Sequence, residues 1–288
     1  MPAAPLPALT DPLRRLLVKR VQAVFNDRAR GESPVVRSDH ALYPRDSVIW
    51  RVHGDVTTMM IGGVTALLLQ MLHPAALAGV WDHSTFRDDM LGRLRRTARF
   101  IAVTTFGERS EAEAAILRVR QVHEHVRGVL ADGTPYAAGD PELLAWVHVC
   151  EAIGFLDAWL AFGDPAMPLA DQDTYFAQAG EVASALGADP IPRTRAEAEA
   201  LIARFKPTLV ANARSREVAR MVLNQPAPSL AAMPVQRLLM QAAVEILPPW
   251  AREMHRLALP PLSGPVVRGG ATAVAGTLRW AFAQTKGR

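Results

Sequence analysis

Apolar residues recur along this chain at helical spacing and almost nowhere at the alternation of a strand, which sets the fold class before any motif is considered. From Asp140 to Gly163 the apolar side chains Leu143, Leu144, Trp146, Val147, Val149, Ile153, Phe155, Leu156, Trp159 and Leu160 fall on nearly every side of the predicted helix. Such a helix belongs in the middle of a bundle. From Ser47 to Met60 and from Val64 to Leu72 the spacing predicts two apolar helices parted by Gly62-Gly63, with Asp46-Ser47 able to cap the first.

The boundaries follow from local chemistry. Thr10-Asp11-Pro12 and Asp140-Pro141 each place an oxygen-bearing cap before a proline at the first helical position, and the first of these helices is predicted to run to about Arg28. Asp88 or Asp89 opens a helix that passes through Arg93 and Thr97 and ends at Gly107. Ser110-Glu111-Ala112-Glu113 has capping-box spacing for a helix running to Arg127 and ended by Gly128. Further helices are predicted over 171–186, 195–205 after Thr194-x-x-Glu197, 216–223, 234–247 and 249–257, punctuated by Pro207, Pro226 and Pro248. Neither a hairpin with a two-residue glycine turn nor a fixed-period repeat is found, so the expectation is an all-α fold spanning residues 1–288 as one domain.

Composition narrows the class. With 288 residues and 50% apolar positions a large core can form. A net charge of +4 would suit nucleic acid, but aromatic residues make up 6% and the arginines are scattered among acids, so no nucleic-acid partner is expected. Cys150 is the only cysteine, which rules out an intrachain disulfide, a cysteine cluster and a Cys-x-x-Cys-His attachment. Prolines interrupt residues 1–20, leaving no run of signal-peptide length, and a cytoplasmic location is expected. Val56 to Leu72 matches the shortest membrane spans in length, yet reads better as a buried helical hairpin, and no integral membrane segment is expected. The alanine-rich stretch from Gly269 carries Trp280, Arg279, Lys286 and Arg288 and can touch a membrane surface or a partner, though such ends usually dock on their own core.

Polar residues on inward faces are the candidate chemistry. Arg93, Thr97, Phe100 and Thr104 share one side of their helix; Val119, His123 and Val126 share a side of the next, with Arg127 a turn beyond His123. His125 lies about 200° around from His123 and faces water. His148 sits inside the most apolar helix. A lone buried histidine is more often a hydrogen-bonded core residue than a ligand, so His123 and His148 both stay open. His73 and His83 flank a short segment where capping is the simpler role, and His40, His53 and His255 read as surface or structural. Arg93, Arg96 and Arg127 outnumber the nearby acids Asp88, Asp89 and Glu124, which fits either an anion between them or salt bridges to distant acids. Dinucleotide, phosphate-loop, serine-elbow and His-Glu-x-x-His motifs are missing.

Asp46-Ser47, Trp50-Arg51-Val52-His53-Gly54, Leu67-Leu68-Leu69-Gln70-Met71-Leu72-His73-Pro74, Asp82-His83-Ser84, Gly92-Arg93-Leu94-Arg95-Arg96-Thr97, His123-x-x-Val126-Arg127-Gly128 and Asp140-Pro141-Glu142-Leu143-Leu144-x-Trp146-Val147-His148 occur in order. This series, over about residues 46–163 and followed by the helices of 171–288, resembles the latex clearing protein or rubber oxygenase catalytic-domain family, which includes the fungal oxygenase of the mycophenolic acid pathway. The resemblance implies a globin-like helical bundle around haem b, with dioxygen or peroxide chemistry on a small apolar substrate, isoprenoid-like or aromatic. It implies His123 as the iron ligand, with His148 as the second choice, Arg93 and Thr97 as the signature pair beside the haem, and Arg96 and Arg127 near its propionates. Rubber-cleaving members carry a lysine where this chain has Arg96, which cannot coordinate iron, so a small substrate is expected rather than a polymer. A non-catalytic haem carrier or sensor, and a metal-free helical binding protein, are the alternatives.

Overall fold

The computed structural model describes residues 33–227, 229–259 and 263–283, with the isolated positions 15, 18 and 31. The helix predicted after Thr10-Asp11-Pro12 lies outside the described residues. Twelve α-helices are found among them: α1 (Val48–His53), α2 (Val56–Gln70), α3 (Pro74–His83), α4 (Met90–Phe106), α5 (Arg109–His125), α6 (Pro141–Phe162), α7 (Leu169–Leu186), α8 (Arg195–Phe205), α9 (Ala213–Leu223), α10 (Met233–Ile246), α11 (Pro249–His255) and α12 (Ser263–Ala283). The fold is all-α.

One small exception was not expected. The helix carrying His123 stops at His125, and Arg127–Val129 (β1) pairs antiparallel with Pro135–Ala137 (β2), with Gly128 opposite Tyr136. Strands of three residues joined by a five-residue loop leave no alternation to read. Arg127 is therefore on a strand, not a turn of helix beyond His123.

At the centre, α6 packs along α2. Asp140 caps α6 by accepting from the backbone of Glu142 and Leu143, and fourteen of the helix's residues are buried, among them Trp146, Val149 and Leu156. Glycine decides the fit. A Cβ on Gly62 would lie 2.6 Å from the Gly154 carbonyl oxygen, and one on Gly154 would lie 2.7 Å from that of Gly62, so the two backbones touch where neither has a side chain. Gly62-Gly63 thus marks a close crossing inside one continuous helix, and the break falls instead at Gly54-Asp55, where the Asp55 carboxylate accepts from Thr58 N and caps α2.

The expected hairpin over Val56–Leu72 is likewise one helix, followed by a 105° bend into α3. By length and composition α6 is the single helix among the described residues apolar enough to cross a membrane, and the bent pairs α2 with α3 and 230–246 with α11 meet the same test jointly; in α6, 67% of the qualifying window is buried inside the bundle. The C-terminal helix α12 docks through Val267, Ala271, Ala275 and Ala281. Arg279 ties it down, pairing with the buried Asp55 carboxylate and donating to the Phe162 carbonyl at 2.6 Å.

Candidate functional site

Asp89 starts the polar corner of the bundle. Its carboxylate accepts from Gly92 N at 2.8 Å, capping α4, and it folds over a glycine because any Cβ there would lie 2.0 Å from its oxygen. The same carboxylate holds Arg96 at 3.5 Å. One turn into the helix, Arg93 is half-buried and donates to Ser84 Oγ at 3.1 Å; burial, followed by the charge of Arg96, lowers its pKa. Thr97 is exposed, and its hydroxyl donates to the Arg93 carbonyl at 3.3 Å.

Motif blocks far apart in the chain meet here. Ser84 receives Arg93, while Asp82 accepts from Tyr136 Oη at 3.1 Å, so β2 is pinned to the end of α3. The pairing needs Gly128 across from it, because a Cβ at that position would lie 2.7 Å from Tyr136 Oη. Tyr136 carries no apolar run around it that would mark it in the sequence.

His123 lies on the face of α5 that buries Ala112 and Ile116. It is half-buried, and its Nδ1 is sealed from solvent with no hydrogen-bond partner among the described residues. Burial lowers its pKa, which keeps the imidazole neutral and able to act as a ligand. His125 points outward and bonds the Gln121 carbonyl at 2.8 Å. Arg127 is exposed and donates to the Glu124 carbonyl at 3.0 Å. Helical rise from the shared turn at Gly107 carries Arg93 and His123 to about the same distance along α4 and α5, roughly 20 Å. No direct bond between them is found.

Among the described residues no bond joins His148 to that corner. It is half-buried on α6 with Nε2 sealed and without a partner among the described residues, and burial, helped by the charge of Arg193, pushes its pKa down to about 4. Capping had been expected to explain His73, but its side chain makes no cap bond to α3; its Nδ1 is buried without a partner among the described residues, and its ring packs 5.9 Å from Phe205. Cys150 is an inert buried thiol, its pKa raised by burial.

His53, expected to be surface or structural, is structural, whereas Glu151 was not anticipated. His53 Nδ1 bonds Thr105 Oγ1 at 2.9 Å and its Nε2 bonds Tyr175 Oη at 3.1 Å, with burial pushing its pKa to about 3. Glu151 lies three residues beyond His148, with Gln70 Nε2 3.4 Å from its Oε1. Burial raises its pKa to about 7, against the smaller opposing effect of that bond. An acid inside a helix apolar on all sides is itself a signal, since it has no wet face on which to sit.

A family model described as the catalytic domain of ER-bound oxygenase mpaB/B' and rubber oxygenase matches residues 50–280. The chain belongs to this family. No curated protein and no solved structure matches it. The mpaB/rubber oxygenase match extends well beyond the ordered motifs, through α7 to α11 and most of α12, and places the protein among oxidoreductases of the oxygenase type. No group of three or more His, Cys, Asp or Glu able to hold a metal ion is found among the described residues.

Proposed function

We propose that this mpaB/rubber oxygenase domain holds a b-type haem through His123 and oxidises a small apolar substrate with dioxygen or peroxide. One observation carries the reading: an inward, neutral imidazole has a nitrogen closed off from water and, among the described residues, joined to nothing. Leaving a polar atom so costs about 1–3 kcal/mol, which is tolerated where another group completes the bonding. A bare ion would need several protein ligands, and no such set is found among the described residues. A porphyrin brings four nitrogens of its own, so one imidazole suffices.

The other residues take roles that suit their surroundings. Arg93, its pKa lowered by burial and then by the charge of Arg96, forms with Arg96 a cationic pair suited to a propionate, and Arg127 has no acid within bonding distance among the described residues. Thr97, hydrogen-bonded to the Arg93 backbone, keeps its hydroxyl beside that pair. When bound, the haem would supply the activation of the oxidant. The chain's own work is to hold the imidazole neutral, to neutralise the acidic side arms, and to keep water from an apolar chamber.

Purification from haem-supplemented cells tests this directly. A Soret band that is lost in His123→Ala and kept in His148→Ala is expected; a spectrum that survives His123→Ala and vanishes in His148→Ala would move the ligand to His148. Oxygen consumption with apolar substrates separates the oxygenase from a carrier.

A further inference from the structure

Two polar side chains on one face of α6 keep bonding capacity that the proposed haem contacts at His123, Arg93 and Arg96 do not use. His148 and Glu151 are three residues apart, which sets them side by side on the helix. Both lie deep among the helices, yet both keep some accessible surface, which a close-packed core would not leave. Gln70 Nε2 braces one oxygen of Glu151 at 3.4 Å while also donating to the Val147 carbonyl at 3.1 Å. For the second Glu151 oxygen and for His148 Nε2 no partner is found among the described residues.

The neighbours of this pair do not compete for those atoms. His53 also lies deep with accessible surface, but both its nitrogens are bonded, to Thr105 and Tyr175. Phe155, one turn beyond Glu151 on α6, meets the His53 ring edge-on at 5.4 Å and supplies hydrocarbon. Arg193, whose charge reaches His148, is itself exposed and donates to the Ala177 carbonyl at 3.4 Å. The wall therefore carries an unbonded Glu151 oxygen beside a sealed, unbonded His148 nitrogen, neither backed by a full counter-charge. Burial raises the Glu151 pKa and lowers that of His148, the response expected of a dry place that rejects charge of either sign. An ionised ligand would leave water there without compensation.

We infer that the His148–Glu151 face is the polar end of a chamber that takes an apolar molecule bearing one uncharged hydroxyl or carbonyl group, the ligand oxygen hydrogen-bonding to the Glu151 carboxyl beside His148. This rests on the reading of the protein as acting on a small apolar substrate, and it adds what selects among such substrates.

The test is calorimetric titration of the full chain at pH 6, where Glu151 is mostly protonated and decanoate mostly ionised, with 1-decanol, decanoate and decyltrimethylammonium, repeated on Glu151→Gln and Glu151→Leu after each is shown to unfold cooperatively in urea. Decanol should bind at least about tenfold more tightly than either ion. Glu151→Gln, which still donates, should keep decanol affinity within about threefold, whereas Glu151→Leu should lose about fivefold, the worth of one ordinary net hydrogen bond. An ion that binds as tightly as decanol, a decanol affinity untouched by Glu151→Leu, or no decanol binding at all overturns the inference. The Soret absorbance of the same samples reports separately on the haem: selectivity for decanol in a colourless protein would refute the haem reading alone, and a haem protein without that selectivity would refute only this one.

Discussion

Replacing Gly62 by alanine adds one methyl group at the point where α2 and α6 touch, and the atoms it meets cannot swing aside. The new Cβ would stand 2.6 Å from the Gly154 carbonyl oxygen and 2.7 Å from the Phe155 Cα, both backbone. To restore an ordinary contact of 3.4 Å the helices must part locally by about 0.8 Å. A radial gap of about 0.5–1 Å forfeits a quarter to a half of each dispersion contact beside it. Ile61, Leu68 and Leu69 on α2, and Ile153 on α6, are buried there and would lose part of their packing.

Overpacking a well-filled core costs about 1–3 kcal/mol, and a clash confined to backbone belongs at the upper end or beyond. Urea unfolding followed by far-ultraviolet circular dichroism should show Gly62→Ala destabilised by about 3 kcal/mol, with Gly154→Ala similar and the double variant no better than either. Gly63→Ala is the internal control, since its Cβ would meet only the Phe155 side chain, at 3.5 Å, and it should cost little. If Gly62→Ala unfolds within about 0.5 kcal/mol of the parent, the close crossing is not what holds these helices in register.

Arg279→Ala should destabilise by about 1–3 kcal/mol, because it strands the Asp55 carboxylate, which is 5% exposed, and frees the last helix from the Phe162 carbonyl; chemical denaturation checks it, and an unchanged midpoint would refute the docking role. Glu151 has a folded pKa raised to about 7 from an ordinary 4.5, so the folded chain binds more protons than the unfolded one across that window, and the residue's penalty grows as pH rises from about 4.5 to 7. Glu151→Leu should therefore gain stability relative to the parent as pH is raised from 5 to 8, by on the order of 2–3 kcal/mol at most, and a pH-independent difference would contradict the burial argument.

The bundle's centre was legible because α6 has no polar face, and an aspartate before a proline fixes where it starts. Gly62-Gly63 misled for a physical reason: a glycine pair weakens a helix locally, and only a partner ninety residues away, Gly154, turns the same pair into a packing notch. The hairpin that pins Tyr136 to Asp82 was hidden by its shortness. At the site, helical periodicity correctly separated His123, half-buried, from His125, exposed. It could not show that Arg96 is held by Asp89, or that Gln70 braces Glu151, because those relations arise from side-chain direction and from the packing of neighbouring helices.

The claim on which the functional account rests is that one imidazole, His123, closes the coordination of a haem iron. The absorption spectrum of protein purified from haem-supplemented cells, taken beside that of His123→Ala, tests it most directly. A Soret band in the parent that is largely lost in a still-folded variant is the predicted result; a folded, colourless parent, or a band that His123→Ala leaves intact, would contradict it.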